Sequence, residues 1–249
     1  MITIAAVGDI HLGEGMAGSY AADVAAAARE ADVLLLAGDL TRHGTAPEAR
    51  VVAGEFADSP VPVVAVLGNH DLHGDDEKGV TAALEEGGIQ VLEGSHTVVE
   101  IGGRRLGVAG TVGFGGGFPP ATASDFGEPE MKAFAARNRT LAACLGEALC
   151  GLDACDVRVA LTHYAPVRET LEGEPAEIHA FLGSHLLGEA IDGSAVACGS
   201  PVALALHGHA HAGSPDGRTS AGVPVHNVAR PVIGRPFRLF ALDPDGRPA

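Results

Sequence analysis

The chain is short of basic side chains: 16 lysines and arginines stand against 32 aspartates and glutamates in 249 residues, a formal charge of −16. Affinity for nucleic acid rests on Lys and Arg displacing counterions from phosphates. A partner such as long nucleic acid is therefore disfavoured, and with it a DNA-processing nuclease. The four cysteines, Cys144, Cys150, Cys155 and Cys198, are too few and too irregular for a disulfide framework, and none forms a Cys-x-x-Cys pair. They are expected to be reduced thiols packed as small hydrophobes. No apolar run approaches the roughly 20 residues that cross a bilayer, and no basic leader precedes Ile2, so the expectation is a cytoplasmic protein without a membrane partner. Repeats, heptads and low-complexity tracts are missing, and no linker separates two cores. One domain over residues 1–249 is expected; its oligomeric state is not legible.

What the chain has is a series of short apolar runs, each followed by a polar motif. Residues 2–7 lead into Gly8-Asp9-Ile10-His11, 33–37 into Gly38-Asp39, 61–67 into Gly68-Asn69-His70-Asp71, 157–161 into Thr162-His163, and 202–206 into His207-Gly208-His209-Ala210-His211. Four to seven apolar residues with β-branched members are too short for a typical helix and read as buried strands. Acids and imidazoles at their ends converge on one sheet edge, where open α/β sheets keep their ligands.

Between these runs lie segments that read as crossover helices: 17–31, 47–57 and 80–87. The first ninety residues are therefore β-α-β-α-β-α-β, a mainly parallel sheet with right-handed crossovers. Residues 97–101 and 104–109 flank Gly102-Gly103, the signature of an antiparallel hairpin that opens a second sheet. Helices are expected over 130–149 and 177–191, and strands over 224–227 and 237–242. Arg247-Pro248-Ala249 are expected to fray.

The ordered motifs resemble those of the calcineurin-like metallophosphoesterase superfamily: Asp-x-His, Gly-Asp, Gly-Asn-His-Asp/Glu, a lone His, and Gly-His-x-His. The resemblance runs from Ile2 to about Val228. It implies an α/β fold, a four-layer α/β/β/α sandwich of two mixed sheets flanked by helices. It also implies two divalent metal ions, the first held by Asp9, His11 and His211, the second by Asn69, His163 and His209, with Asp39 bridging them. A mixed oxygen and nitrogen set without thiolate suits manganese, iron, zinc or nickel and does not choose among them. Two cations about 3.5–4 Å apart can hold a bridging hydroxide, lower the pKa of its parent water and bind phosphoryl oxygens. His70 is the candidate for giving a proton to the leaving oxygen, with Asp71 fixing its ring.

The implied activity is hydrolysis of a P–O bond in a small phosphorylated molecule, with a phosphodiester such as a cyclic nucleotide preferred. A phosphomonoesterase or nucleotide pyrophosphatase would use the same site, and a non-catalytic scaffold is the reading from another class. Many members carry Gly-Asp-x-x-Asp, whereas here Arg42 stands at the final position, which argues against the Ser/Thr protein phosphatase branch. Arg42 either faces solvent or approaches a phosphate. Tyr164 and Arg168, leaving the strand end after His163, are candidate substrate contacts, Arg168 through a second phosphate or a carboxylate. His207 is expected to support the site rather than bind metal. The segment Phe114 to Pro120 reads as a rim or lid, or a glycine-rich phosphate cradle, and no role is assigned to Asn227.

Overall fold

The computed structural model describes residues 1–199 and 201–243, so the expected fraying of 247–249 lies outside the described residues. The elements in order are β1 (Ile2–Val7), α1 (Ala21–Ala28), β2 (Val33–Ala37), α2 (Ala46–Phe56), β3 (Val63–Val66), α3 (Glu77–Glu86), β4 (Ile89–Val91), β5 (Ser95–Ile101) and β6 (Arg104–Thr111). A small ribbon of β7 (Gly117–Phe118) and β8 (Ala121–Thr122) precedes α4 (Pro129–Cys150), β9 (Val157–Thr162), α5 (His179–Leu182) and α6 (His185–Cys198). The remainder is β10 (Leu204–His207), β11 (Asp216–Arg218), β12 (Pro224–Asn227), α7 (Arg230–Ile233) and β13 (Arg238–Leu242).

The strands form two mixed sheets, ordered β13-β1-β2-β3-β4 and β11-β12-β10-β9-β6-β5. In the first, β1 to β4 run parallel and β13 lies antiparallel to β1. In the second, β6, β9, β10 and β12 run parallel, with antiparallel β5 and β11 at the edges. The β5–β6 hairpin turns through Gly102 and Gly103, both at positive φ (56° and 81°), the backbone that a two-residue turn of primed type demands.

Side-chain alternation along the strands assigns the layers. On β2, Val33, Leu35 and Ala37 enter the core between the sheets with Val159, Leu161 and Leu206. Leu34 and Leu36 face the other way, onto α1, α2 and α3 through Val24, Val52 and Leu84. On the second sheet Ala109, Ala160 and Ala205 face Leu145 and Leu149 of α4 and Leu187 and Ile191 of α6. The result is a four-layer α/β/β/α sandwich. Both faces of each central strand are covered, which is why its sequence is apolar throughout rather than alternating.

Two expectations are corrected. The single helix over 177–191 is interrupted, because Gly183 is fully extended (φ −179°, ψ −173°) and Ser184 caps α6 by accepting from the Leu186 N–H at 3.2 Å. Backbone bonds from Ala165 to Leu182 and from Ser184 to Ala165 stitch this break to the segment after β9, and they outweigh local helix propensity.

The cysteines are not all free thiols: Cys150 and Cys198 form a disulfide (Cα–Cα 5.5 Å), while Cys144 and Cys155 are unpaired. Sequence spacing gives no hint of it. The pair joins the last residues of α4 and α6, two helices whose packed faces bring their C-termini together. Arg158, buried at the start of β9, lies beside them and donates Nη1–H to the Leu149 carbonyl at 3.1 Å, a favourable place for a cation because helix C-termini carry partial negative charge. None of the helices among the described residues is long and apolar enough to cross a membrane.

Closing a loop between residues 48 apart removes about 4 kcal/mol of unfolded-state entropy in the chain-entropy model. Reduction, or Cys150→Ser with Cys198→Ser, is therefore expected to lower the unfolding free energy by about 2–4 kcal/mol, read from urea denaturation.

Candidate metal centre

The motifs leave the C-terminal ends of β1, β2 and β3 in one sheet and of β9 and β10 in the other. Beyond the strands the first two loops remain zipped: Asp9 N–H donates to Gly38 O (2.9 Å), His11 N–H to Asp39 O (3.0 Å) and Leu12 N–H to Leu40 O (2.9 Å). The ligand residues adopt costly backbone to turn their side chains inward. Among the described residues five non-glycine positions have positive φ, and four of them are Asp9 (60°), His11 (45°), Asp39 (52°) and His209 (71°). Each such position costs on the order of 1–3 kcal/mol and persists because the surrounding bonds overdetermine it.

Two glycines show how close the loops come. A Cβ on Gly68 would lie 2.1 Å from Asp39 Oδ1, and one on Gly208 would lie 2.4 Å from Asp9 Oδ2. Only glycine lets these turns approach the carboxylates.

The side chains assemble into two sets that share one residue. Ligand atoms of Asp9, His11, Asp39 and His211 lie within 4.8 Å of one another, as do those of Asp39, His163 and His209. The two oxygens of Asp39 divide between the sets: Oδ2 is 3.8 Å from His11 Nε2, and Oδ1 is 3.3 Å from His163 Nε2. Asn69 Oδ1 joins the second set, 3.0 Å from His163 Nε2. The structure thus brings together Asp9, His11, Asp39, Asn69, His163, His209 and His211.

Hydrogen bonding shows that this donor set fits cations. His163 Nδ1 faces the Ala37 carbonyl at 2.8 Å, which fixes the proton on Nδ1 and turns the Nε2 lone pair toward Asn69 Oδ1 and Asp39 Oδ1, both acceptors. Lone pairs converging on lone pairs need a positive charge between them. Asp9 is similarly placed, 2.8 Å from His211 Nε2, while the His209 N–H donates to both its oxygens (3.1 and 3.0 Å).

In the metal-free protein, protons supply part of that charge. Burial disfavours charge on His163, but Asp39 and Asp9 outweigh it and raise its pKa. The hydrogen bond to Asp9 raises that of His211 against the opposing effect of burial. Burial would raise the Asp9 carboxyl, yet the bond to His211 and the charge of His163 bring it below the usual range. His209 behaves oppositely, because burial and then the neighbouring His163 push it down to about 3, leaving a neutral imidazole ready to ligate.

The supporting residues are only partly those the sequence suggests. His70 donates its backbone N–H to Asp39 Oδ1 at 2.8 Å, and its ring stands edge-on to His11 with centroids 4.5 Å apart. Asp71 does not orient that ring; the Arg42 carbonyl, 2.9 Å from Nδ1, does. Adjacent residues in this turn point apart, and the fully buried Asp71 accepts from Leu40 N–H, Thr41 N–H, Thr41 Oγ1–H and Gly68 N–H. It clasps the loops after β2 and β3. Burial, then the charge of Asp39, raises its pKa.

His207 is fully buried, bonded to Thr170 Oγ1 at 2.8 Å, and burial lowers its pKa to about 4. It anchors the turn bearing His209 without entering either set. Asn227, given no role above, serves the same turn: its Nδ2–H donates to Ala210 O (2.8 Å), and its Oδ1 accepts from Ala229 N–H (3.0 Å).

Of the two candidate substrate contacts, only Tyr164 is at the site. Its ring packs on His209 with centroids 4.4 Å apart and continues through Phe114 and Phe134 as an aromatic wall. Burial, then Asp39, pushes its hydroxyl up to about 12. Arg168 is not at the site. The Ala165–Gly183 bridge turns the chain aside after Tyr164, and Arg168 lines a separate cavity with His185 and Arg218 that includes none of the seven ligand residues. The glycine-rich segment does not offer a phosphate cradle, since the Gly116 and Gly117 amides donate to Ala180 O and Gly183 O. Arg42, left open by the sequence, lines a cavity of about 330 Å³ with His43, Asn69, His70 and His73.

The family model of calcineurin-like phosphoesterases matches residues 2–213. The chain belongs to that family. Among solved structures it is similar to phosphopantetheinyl hydrolase from Mycobacterium tuberculosis, with 16% identity, a TM-score of 0.67, and coverage of 97% of this chain and 96% of that one. It is similar also to two proteins of Thermus thermophilus, TT1561 (18%, 0.55, 91% and 88%) and the sulfate thiohydrolase SoxB (18%, 0.55, 96% and 42%). These likenesses concern the fold. Comparison with curated proteins gives no match.

Because raised pKa values keep His163 and His211 protonated above the ordinary histidine range in the metal-free protein, a cation must displace protons. Manganese affinity is expected to rise with pH until those groups are deprotonated, with protons released on binding, measured by calorimetry in buffers of different ionisation enthalpy. Gly68→Ala, whose new Cβ would strike Asp39, is expected to lower manganese stoichiometry by at least half, read by elemental analysis.

Proposed function

We propose that the chain hydrolyses P–O bonds of a small phosphorylated molecule using two divalent cations, with a phosphodiester favoured. The observation that supports this most directly is the division of the Asp39 oxygens between two ligand sets. Two cations held by these sets, with Asp39 between them, would lower the pKa of a water and stabilise charge on the phosphoryl oxygens. The remaining work falls to the side chains. With Nδ1 tied to the Arg42 carbonyl, His70 keeps Nε2 for a proton delivered to the leaving oxygen. Tyr164 packs its ring against that of His209.

A diester carries one substituent on each side of the phosphorus, and the metal edge has a flank for each. One is the recess of Arg42, His43, Asn69, His70 and His73; the other is the wall of Tyr164, Phe114 and Phe134. A cyclic nucleotide is one molecule of that class. The solved structures carry names as different as phosphopantetheinyl hydrolase and sulfate thiohydrolase, so substrate choice rests on these flanks rather than on the fold. The acidic chain fits a small substrate better than long nucleic acid.

A screen of the manganese-loaded protein over bis-p-nitrophenyl phosphate, p-nitrophenyl phosphate, cyclic nucleotides and nucleotide diphosphates tests this reading. Hydrolysis of diesters supports it, hydrolysis of the monoester alone reverses the diester preference, and inertness toward all of them with two ions bound overturns it. His70→Ala is expected to reduce kcat by about 10²–10⁴-fold with metal content retained. Asp71→Ala should instead lower metal content and thermal stability together, because four donors lose their acceptor.

A further inference from the structure

Resting on that reading, we infer that the Arg42 recess binds a second phosphoryl group carried by the leaving group, so that the substrate is a diphosphate cleaved at its P–O–P linkage. In a chain of net charge −16, this recess is lined by one arginine, three histidines and one asparagine, with no carboxylate among them. Arg105, Arg139 and Arg238 pair with carboxylates. The guanidinium of Arg42, by contrast, has no such partner among the described residues.

Two neighbouring acids are engaged elsewhere. Glu48 is buried and holds His43, accepting from its backbone N–H and lying 2.7 Å from its Nδ1. Asp76 caps α3 through the Gly79 N–H. The recess therefore offers a planar, permanently charged fork and imidazole N–H groups, the donor chemistry that recognises phosphate.

Its place gives it a role. His70 itself lines the recess and is held there by the Arg42 carbonyl, so a group in the recess sits beside the residue that serves the departing oxygen. In the reaction the oxygen of water forms a bond to one phosphorus while the bond from that phosphorus to the bridging oxygen breaks. The electron pair leaves on the bridging oxygen of the second phosphate. Arg42 opposes the negative charge that develops there, a proton from His70 then neutralises it, and the proton lost by the attacking water passes to solvent, from which His70 regains its own. A cyclic nucleotide has no second phosphorus to place there, so the recess selects an acyclic diphosphate within the broader class.

The test compares P1,P2-diphenyl diphosphate, whose leaving group is a phosphate monoester, with bis-p-nitrophenyl phosphate, whose leaving group bears no phosphorus. Both are assayed on the manganese-loaded protein. In Arg42→Gln the ratio of kcat/KM for the diphosphate over that for the diester is expected to fall about tenfold, with a smaller fall in His73→Gln. Both positions are exposed, and a thermal melt checks that the variants fold. In a binding measurement independent of turnover, the Kd of the non-hydrolysable methylene analogue of the diphosphate should rise about tenfold in Arg42→Gln. A ratio and a Kd within twofold of wild type, with both esters still hydrolysed, overturn the inference while leaving the phosphoesterase reading intact. Failure of the wild-type protein to hydrolyse either ester defeats that reading, and this inference with it.

Discussion

One carboxylate, that of Asp39, faces two groups of ligands at once, and much of the local architecture follows from keeping it there. Its backbone carbonyl ties the loop after β1, and its Oδ1 accepts the amide of His70. Gly68 passes against it too closely for any side chain. The concentration of lone pairs around it is unfavourable without positive charge, and the raised pKa of His163 is one sign of that demand. The rest of the sandwich acts as the frame that holds this arrangement against its own repulsion.

The frame is rigid because both faces of the ligand-bearing strands are buried. Apolar side chains on β1, β2, β3, β9 and β10 enter the core between the sheets or the flanking helix layers, and the residues that converge on the site lie just beyond the strand ends. Left-handed backbone at Asp9, His11, Asp39 and His209 converts an extended strand end into inward-pointing ligands. Asp71, His207 and Asn227 then hold those turns from behind through buried hydrogen bonds.

Most of this was legible in the sequence where a chemical pattern repeats. An apolar run followed by a glycine and an acid or imidazole marks both a strand and the polar residues at its end, so the residues that the structure brings together and the two-sheet architecture could be read together. Adjacency misled at Asp71, since neighbours in a turn point apart. The run-on from His163 misled at Arg168, because the bridge between Ala165 and Gly183 turns the chain away. Asn227 acts through a carbonyl 17 residues off, and the disulfide joins helix ends 48 residues apart. Contacts of that kind leave no local signature.

The pairing of β13 with β1 has a consequence for how the chain is made. Residues 2–6 find their outer partners only at 238–242, so β1, which carries Asp9 and His11 at its end, keeps one edge unpaired until β13 has been made. An unpaired edge of this apolar composition is a template for association with other chains. Pairing across so long a separation is also slow, because loop closure precedes the contacts that reward it. The outer edge of the strand that carries Asp9 and His11 is thereby closed only by β13, and a nascent polypeptide stalled before β13 would hold these two residues beside an open seam.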